Sequence, residues 1–285
     1  MTAAQRRAVV AEMRDRRAVS ERQACRYLGW HRTPVRYQAR RAPQTALVAR
    51  LRELAATKVR WGSPRLTWRL VRDGWPVNHK RIERLMREER LLVRQRPRRK
   101  RAAMARVPTP VPTRPDQRWS MDFVRDTLLD GRPFRVWTVV DDATRECPWL
   151  LVERSLPAVR IVEALEILRL VRGLPHVLVC DNGPEFVSQA MDHWAETRSV
   201  TLDFIRPGRP VENCFIESFN GRLRDECLNI HHFRTLAEAR TVIEAWRTEY
   251  NTDRPHSGLG QRTPAEFAAQ FHMDDAAGLL TTLRS

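Results

Sequence analysis

The sequence predicts an α/β fold, in which a domain with a mixed sheet is preceded by small all-α units. Three observations lead to this prediction. The chain has 285 residues, of which 42% are hydrophobic, so it can form a packed core, and its length suits two or three small domains. Its charge differs in sign between its two parts, and the period of its apolar residues changes near Trp119 from helical to strand-like.

The charge is concentrated before residue 116. Residues 1–115 contain 31 Lys and Arg against 8 Asp and Glu, a formal charge of +23, whereas residues 116–285 contain 20 against 26, or −6. This division is typical of a region that binds nucleic acid joined to a region that uses carboxylates. The alternative is a solvated arginine-rich surface that reflects codon usage. Codon usage exchanges Lys for Arg but does not by itself create this excess, so nucleic-acid binding is favoured.

Two helices are predicted at the start of the first unit, residues 1–44. The segment RAVVAEMRDRR has a helical pattern. Ser20 and Gln23 have the spacing of a capping box that begins the second helix, and Gly29 ends it.

A third helix follows at once, with Thr33 as its N-cap and Pro34 at its first position. The three helices have the order of a helix-turn-helix unit, whose last helix lies in the major groove of DNA. Arg36 and Arg40 on that helix are therefore candidate DNA contacts.

A second helix-turn-helix-like unit is predicted over residues 45–93. It begins with the amphipathic segment ALVARLRELAAT, Ser63 and Pro64 start its next helix, and Asn78 caps the last one. An ordinary three-helix bundle with solvated charges would give the same pattern, and the basic background favours DNA contact. The candidate contacts on the outer face of the last helix are Lys80, Arg81 and Arg84.

A linker rich in Arg and Pro is predicted over residues 94–116. Its prolines exclude regular secondary structure, and its run RQRPRRKR favours a semi-extended segment that follows phosphates. Arg98 and Arg99 are its candidate DNA contacts.

A mixed α/β domain is predicted over residues 117–272, followed by a C-terminal tail, residues 273–285. Its first part has the alternation of three antiparallel strands, with a hairpin at Asp130 and Gly131. A helix over about Leu156–Val171 and a buried strand, HVLVC, come next. The remaining predicted elements are a helix in PEFVSQAMDHWAETR, a strand in VTLDFI and a helix over about Asn213–Leu228.

Carboxylates stand at unusual places in these elements. Asp122 lies within a strand and Asp181 at the end of a buried strand, where a charge is costly unless it binds something. Glu217 follows on a helix, with 35 residues between it and Asp181. Converging carboxylates repel each other unless a divalent cation neutralises them, so this set would imply a metal site. The spacing alone is weak, because acidic residues are frequent in the chain.

The sequence motifs around these residues make the interpretation specific. WSMDFV, CDNGPEF, ENCFIESFNGRLRDECLN and YNTDRPHSGLGQRTPAEF follow one another in this order. Together they resemble the catalytic core of bacterial insertion-sequence transposases of the OrfB type, which are similar to retroviral integrases and carry an Asp, Asp, 35 residues, Glu signature. The basic part also resembles that family, whose members have helix-turn-helix units ahead of the core.

The resemblance implies a ribonuclease H-like core in which Asp122, Asp181 and Glu217 are both catalytic residues and metal ligands. It implies two Mg²⁺ ions about 4 Å apart in each active site, with Mn²⁺ as a substitute. One ion activates water or a 3′-hydroxyl, and the other stabilises the leaving oxygen.

The resemblance also implies DNA contacts near the triad. Arg224 follows Glu217 by seven residues, about two helical turns, so both share one helix face. Asn182 directly follows the second Asp of the signature. The C-terminal block adds Arg254 and His256.

The implied activity is metal-dependent cleavage of insertion-sequence ends, followed by transfer of the 3′-hydroxyl strand into target DNA. The implied partners are double-stranded DNA, as terminal repeats and target, further copies of the chain in a homo-oligomer on DNA, and a product of an upstream reading frame fused to this one. A catalytically silent DNA-binding regulator derived from such a transposase is the alternative. A nuclease acting on RNA would not explain the helix-turn-helix units.

Other classes of protein fit the sequence poorly. No apolar run approaches the ~18 residues of a membrane span, and no secretory h-region is present, so a cytoplasmic location on bacterial DNA is expected. The five cysteines form no CxxC pair, which favours reduced thiols over disulfides or structural zinc.

Overall fold

The computed structural model describes residues 1, 3–36, 44–93, 112–206 and 213–271. The chain separates into two compact units, Met1–Ala49 and Arg50–Ser285. The five-part division expected from the sequence stays a prediction, and its tail and most of its linker lie outside the described residues. Within the described ranges, no helix is both long and apolar enough to cross a membrane.

The first unit contains helices α1 (Ala3–Arg17), α2 (Glu21–Tyr27) and α3 (Arg32–Arg36). The predicted capping box is confirmed: the backbone N–H of Gln23 donates to Ser20 Oγ at 3.3 Å, and the backbone N–H of Ser20 donates to Gln23 Oε1 at 2.9 Å. Four small or apolar side chains, Val10, Ala24, Cys25 and Val35, form the buried core of this unit.

The start of α3 differs from the prediction. The helix begins at Arg32, so Thr33 lies inside its first turn and is not its N-cap. Pro34 is tolerated there because the first N–H groups of a helix have no partner within the helix. Arg40 lies outside the described residues.

Helices α4 (Thr45–Thr57), α5 (Ser63–Arg72) and α6 (His79–Glu88) follow the predicted second pattern. Asn78 caps α6 as predicted, since its side chain accepts from the backbone N–H of Arg81 at 2.9 Å. The N-cap of α5 is Gly62, which offers no side-chain hydrogen bond. The buried face consists of Leu66, Leu70, Ile82, Leu85 and Met86.

Five strands form one mixed sheet in the order β3-β2-β1-β4-β5. Strand β1 pairs antiparallel with β2, and β2 with β3, whereas β4 runs parallel to both β1 and β5. The hairpin between β1 and β2 is confirmed, with Gly131 at φ +83°. The strands are β1 (Arg118–Thr127), β2 (Pro133–Asp141), β3 (Trp149–Glu153), β4 (Val177–Cys180) and β5 (Thr201–Phe204).

Helices cover both faces of this sheet. Trp119 and Met121 of β1 belong to the apolar cluster under α7 (Ala158–Val171) and α8 (Gln189–Arg198). Val124 belongs to the cluster on the opposite face, under α9 (Cys214–Glu226) and α10 (Leu236–Thr252). Because side chains alternate along a strand, Asp122 lies on the same face as Val124, towards α9.

Several helix ends differ from their predicted positions. Residues 184–187 form a turn, and α8 begins only at Gln189, where the Ser188 side chain accepts from the backbone N–H of Met191. Helix α9 ends at Glu226, and a short 3₁₀ turn continues from Leu228. The sequence analysis did not predict α10.

Ion pairs join α5 to the end of α9 and to the residue that follows α10. Arg65 pairs with Glu226 at 3.2 Å, and Arg69 pairs with Asp253. Glu226 also accepts two hydrogen bonds, of 2.6 and 2.7 Å, from the guanidinium of Arg254, whose side chain is only 2% exposed. A buried guanidinium of this kind requires its carboxylate, so Glu226 is the centre of the junction.

We expect Glu226→Gln to lower the free energy of unfolding by roughly 3–5 kcal/mol, because Arg254 would remain buried without a counter-charge. Denaturant unfolding measures this change. The matched control is Glu244→Gln, since Glu244 is half exposed and pairs with Arg247 on the surface of α10. The control should change stability by less than about 1 kcal/mol. Equal losses in the two variants would contradict the assigned role of Glu226.

Candidate active site

Two aspartates lie near each other where the pairing of strands β1 and β4 ends. The last paired positions of these parallel strands are Ser120 and Val179. Asp122 and Asp181 each stand two residues further along the chain, so both lie beyond the same end of this pairing. As predicted, Asp122 is within a strand and Asp181 directly follows one.

Asp122 is a partly buried carboxylate with two hydrogen-bond donors. Its Oδ1 accepts from the backbone N–H of Phe123 at 2.7 Å, and its Oδ2 accepts from Asn220 Nδ2 at 2.9 Å. Burial raises the pKa of Asp122 above its usual range, and the negative charges of Asp181 and Glu217 raise it further, while the two hydrogen bonds oppose the rise. The predicted triad is therefore close enough for its members to repel.

Asn220 links the side chain of Asp122 on β1 to Thr138 on β2. The sequence analysis did not identify Asn220 as a site residue. Its Oδ1 accepts from the hydroxyl of Thr138 at 2.9 Å, and Thr138 stands opposite Asp122 in the β1–β2 register. Asn220 is 6% exposed, on the buried side of α9 among Ile216, Phe219 and Leu223. A polar residue at that position of an apolar helix face was the signal available in the sequence.

The turn after β4 holds Asp181 by its backbone. The N–H of Gly183 donates to Asp181 Oδ1 at 2.9 Å, and a Cβ on residue 183 would lie only 2.9 Å from the same oxygen. Glycine is needed here for close approach. Asn182 is exposed, and its Nδ2 donates to the carbonyl of Ile205 at the end of β5.

A cationic and aromatic group stands beside the aspartates. The guanidinium of Arg135 lies 4.0 Å from the ring centroid of Phe123, which stacks on Phe186 at 4.9 Å. Arg135 also pairs with Glu185 and lowers the pKa of that carboxyl. Glu185 is therefore an ion-pair partner of Arg135 rather than a further member of the triad.

Glu217 and Arg224 lie on α9, two turns apart on one face, about 10 Å along the axis. Both are exposed, and neither has a hydrogen-bond or ion-pair partner that the structure places among its described residues. A carboxylate and a guanidinium are thus both available on the side of the helix where Asn220 reaches Asp122.

The carboxylates of Asp122, Asp181 and Glu217 are chemically suited to bind a divalent cation. Carboxylate oxygens are the ligands that Mg²⁺ prefers, and the mutual repulsion at Asp122 is what a cation would relieve. Across the described ranges, however, no group of three or more His, Cys, Asp or Glu side chains stands close enough to hold a metal ion. A cation shared by all three carboxylates would require them to lie closer together than they do here.

Asp141 and Asp142 are structural. Asp141 accepts from the backbone N–H groups of Ala143 and Thr144, and Asp142 pairs with Arg118 at 2.7 Å. Both carboxyl groups are fully buried, and their contacts stabilise the turn after β2.

The candidate DNA contacts fall into different environments. Arg36, Lys80 and Arg84 are exposed, and Arg81 is half-buried. Arg98 and Arg99 lie outside the described residues.

Arg254 and His256 are buried, at 2% and 5% exposure. Their contact with DNA stays a prediction. Arg254 is held by Glu226, and burial together with the charge of Arg254 lowers the pKa of His256 to about 2, which keeps the imidazole neutral.

Comparison with protein families gives matches over most of the chain. Two families described as "Integrase core domain" match residues 112–210 and 198–264, and an "HTH-like domain" matches residues 43–101.

Individual relatives agree with these matches. The chain is 44% identical to the insertion element IS407 uncharacterized 31.7 kDa protein of Burkholderia multivorans, over 92% of this chain and 95% of that protein. It is 27% identical to the putative transposase InsK for insertion sequence element IS150 of Escherichia coli K12, over 75% of this chain and 79% of that protein.

A solved structure supports the fold. The simian T-cell lymphotropic virus intasome in complex with PP2A regulatory subunit B56 gamma contains a chain that matches with a TM-score of 0.51 and 14% identity. The match covers 76% of this chain and 74% of that one. The predicted ribonuclease H-like mixed sheet is confirmed.

We expect Asn220→Ala to raise the pKa of Asp122 further above its usual range, because the substitution removes an N–H donor from the carboxylate. The ¹³C chemical shift of the Asp122 carboxyl carbon, followed against pH, measures the change. Asn229→Ala is the control, since Asn229 is exposed on the 3₁₀ turn after α9. An unchanged titration in Asn220→Ala would show that Asn220 does not support the ionised form.

Proposed function

Because the chain belongs to the family of insertion-element transposases with an integrase core domain, we propose that it cleaves DNA at the ends of its element and joins the freed 3′-hydroxyl to target DNA. Its enzyme class, the DDE transposases, follows from the family. The observation that supports the finer proposal is the proximity of Asp122 to Asp181 and Glu217, whose negative charges both raise its pKa.

Asp122, Asp181 and Glu217 would hold the divalent cations, Mg²⁺ with Mn²⁺ as a substitute, and the family pattern suggests two ions. When bound, the ions neutralise the carboxylates, polarise the scissile phosphate and lower the pKa of the attacking water or 3′-hydroxyl.

The chain's own groups orient these carboxylates. The N–H of Phe123 and the amide of Asn220 fix the direction of the Asp122 carboxyl group, and the N–H of Gly183 fixes that of Asp181. Arg224, on the same face of α9 as Glu217, is placed to bind a DNA phosphate next to the scissile bond. This chemistry needs no covalent intermediate on the protein.

The partner that fits is double-stranded DNA, as element ends and as target. Exposed cations on the helical units, including Arg36, Lys80 and Arg84, would bind its phosphates. Asn182, Arg81 and the linker arginines Arg98 and Arg99 remain proposed contacts. Joining requires two ends to be held together, so we expect more than one copy of the chain on the DNA, with a fused upstream product as a further partner.

We expect Glu217→Gln to abolish strand cleavage and joining, by more than about a thousandfold, because a carboxylate ligand is lost. The assay uses labelled duplex taken from the DNA that flanks the gene, with Mg²⁺, and a gel shift measures binding. DNA binding should stay within about twofold of the wild type, since an amide replaces one exposed carboxylate. Glu163→Gln, on the exposed side of α7, is the control.

Two outcomes would contradict this proposal. Full activity of Glu217→Gln would remove this residue from the triad. Tight and specific DNA binding by the wild type, without cleavage in Mg²⁺ or Mn²⁺, would favour the silent regulator.

A second prediction concerns metal and pH. In metal-free buffer the stability of the folded chain should fall as the pH rises from the usual Asp range through the raised pKa of Asp122, because ionisation of this buried group is costlier in the folded state. Above that pH, Mg²⁺ at about a hundredfold excess over its Kd should raise the Tm by at least about 5 °C.

Asp122→Asn should abolish most of this rise, and Asp130→Asn, on the exposed β1–β2 hairpin, should retain it. Differential scanning fluorimetry measures all three proteins. An equal rise in Asp122→Asn and the wild type would show that the cation binds elsewhere.

A further inference from the structure

A cavity of about 740 Å³ lies beside α9, within the second compact unit. One wall is formed by Arg60 and Arg65 at the start of α5, and another by Phe215 and Arg222 of α9. The loop around residues 254–261 closes the third side. Its volume is within the range of about 300–1,000 Å³ that is typical of ligand pockets.

This cavity is distinct from the carboxylate site. Glu217 and Arg224 share one face of α9, whereas Phe215, Ser218 and Arg222 share a face that is rotated by roughly 100–160° from Glu217. The same helix therefore carries Glu217 and Arg224 on one face and presents Phe215, Ser218 and Arg222 to the cavity on another.

The cavity has an excess of positive charge. Glu226, which pairs with Arg65 and Arg254, compensates part of it from outside the wall. Arg145 lies 3.6 Å from the ring centroid of Phe215 and donates to the backbone carbonyl of residue 142.

The other two arginines, Arg60 and Arg222, have neither a hydrogen-bond nor an ion-pair partner in the part of the chain that the structure describes. Among the described lining residues, none is acidic. Five arginines thus surround a space without an anion of the protein in it.

The neighbouring positive charges lower the pKa values of two groups in the cavity wall. Burial and the charges of Arg254 and Arg222 lower the pKa of Arg65 to about 10. Burial and the same two charges also lower the pKa of His256 to about 2. An anion in the cavity would relieve this repulsion.

We propose that the cavity binds a phosphate group of a DNA strand, between Arg222, Arg145 and the arginines at the start of α5. Guanidinium groups recognise phosphate oxygens through paired hydrogen bonds, and the partly exposed ring of Phe215 offers an apolar surface for the adjoining sugar or base. The proposal rests on the proposed function, since it takes DNA as the substrate, and it adds a second binding site on α9 for the strand held at Glu217.

The test compares Arg222→Ala with the wild type in buffer containing EDTA, so that no cation bridges DNA to the carboxylates. The probes are a short fluorescent oligothymidylate, followed by anisotropy, and inorganic phosphate, followed by the rise in Tm. We expect oligothymidylate binding to Arg222→Ala to be about tenfold weaker. The dependence of log Kd on log salt should also decrease by about 0.7, one phosphate contact.

Arg222→Ala should leave the Tm of the free protein unchanged or raise it, because the substitution removes repulsion and no carboxylate partner. A residue with a purely structural role would lower that Tm. Arg60→Ala, at an exposed position of the same wall, is a second variant and should also weaken binding. Arg154→Ala is the matched control, since Arg154 is exposed and lies outside the cavity wall.

The outcomes separate the possible sources of the phosphate. Weaker binding of oligothymidylate, with or without weaker binding of inorganic phosphate, supports the DNA site. An effect on inorganic phosphate alone overturns it in favour of a free-anion site. Wild-type affinity for oligothymidylate in both Arg222→Ala and Arg60→Ala overturns it entirely.

The Glu217→Gln variant separates this inference from the proposed function. It should bind oligothymidylate like the wild type in EDTA while lacking cleavage. If the wild type does not cleave but its binding still depends on Arg222, the proposed function fails and the cavity site remains. If the wild type cleaves and its binding is independent of Arg222, the cavity inference alone fails.

Discussion

The carboxylate of Asp122, partly buried on the central strand of the sheet, is the feature on which the rest of the site depends. A charge in this position is unfavourable, and the neighbouring charges of Asp181 and Glu217 make it more so. Two N–H donors, from Phe123 and Asn220, hold it in place without neutralising it. The fold therefore keeps a local excess of negative charge that suits hard cations.

Helix α9 joins the main features of this core. Its buried residues close one face of the sheet, and Asn220 on the same side reaches Asp122. A second face carries Glu217 and Arg224, and a third, with Arg222, lines the arginine-rich cavity. One rigid helix thus fixes the spacing between the triad and two sets of cations, which is the precision that positioning a DNA strand requires.

The charge of the chain has two uses. The sequence analysis treated the excess of +23 before residue 116 as a surface for nucleic acid. In the structure, Arg65 and Arg69 of α5 instead pair with Glu226 and Asp253 of the acidic part. Part of the basic charge stabilises the junction with the core. The exposed Arg36 of α3 and Arg84 of α6 pair with the nearby Glu21 and Glu88 and remain accessible to solvent.

The sequence by itself determined the mixed sheet, the positions of Asp122 and Asp181 on their strands, and the caps at Ser20 and Asn78, because each follows from local periodicity or from hydrogen bonds within one turn. The motifs that resemble the family predicted Glu217 as the third carboxylate. The start of α8 was misplaced because the backbone of Gly183 is used to hold Asp181 in a turn.

Only the tertiary structure decided the rest. Asn220 forms a hydrogen bond with Asp122, which is 98 residues away in the sequence, and Arg254 forms one with Glu226, which is 28 residues away. No local sequence pattern encodes these side-chain contacts. The same holds for Arg222, whose basic surroundings come from α5, α9 and the loop after α10 together. Burial of these polar groups depends on which elements pack against each other, and that is set by the folded chain as a whole.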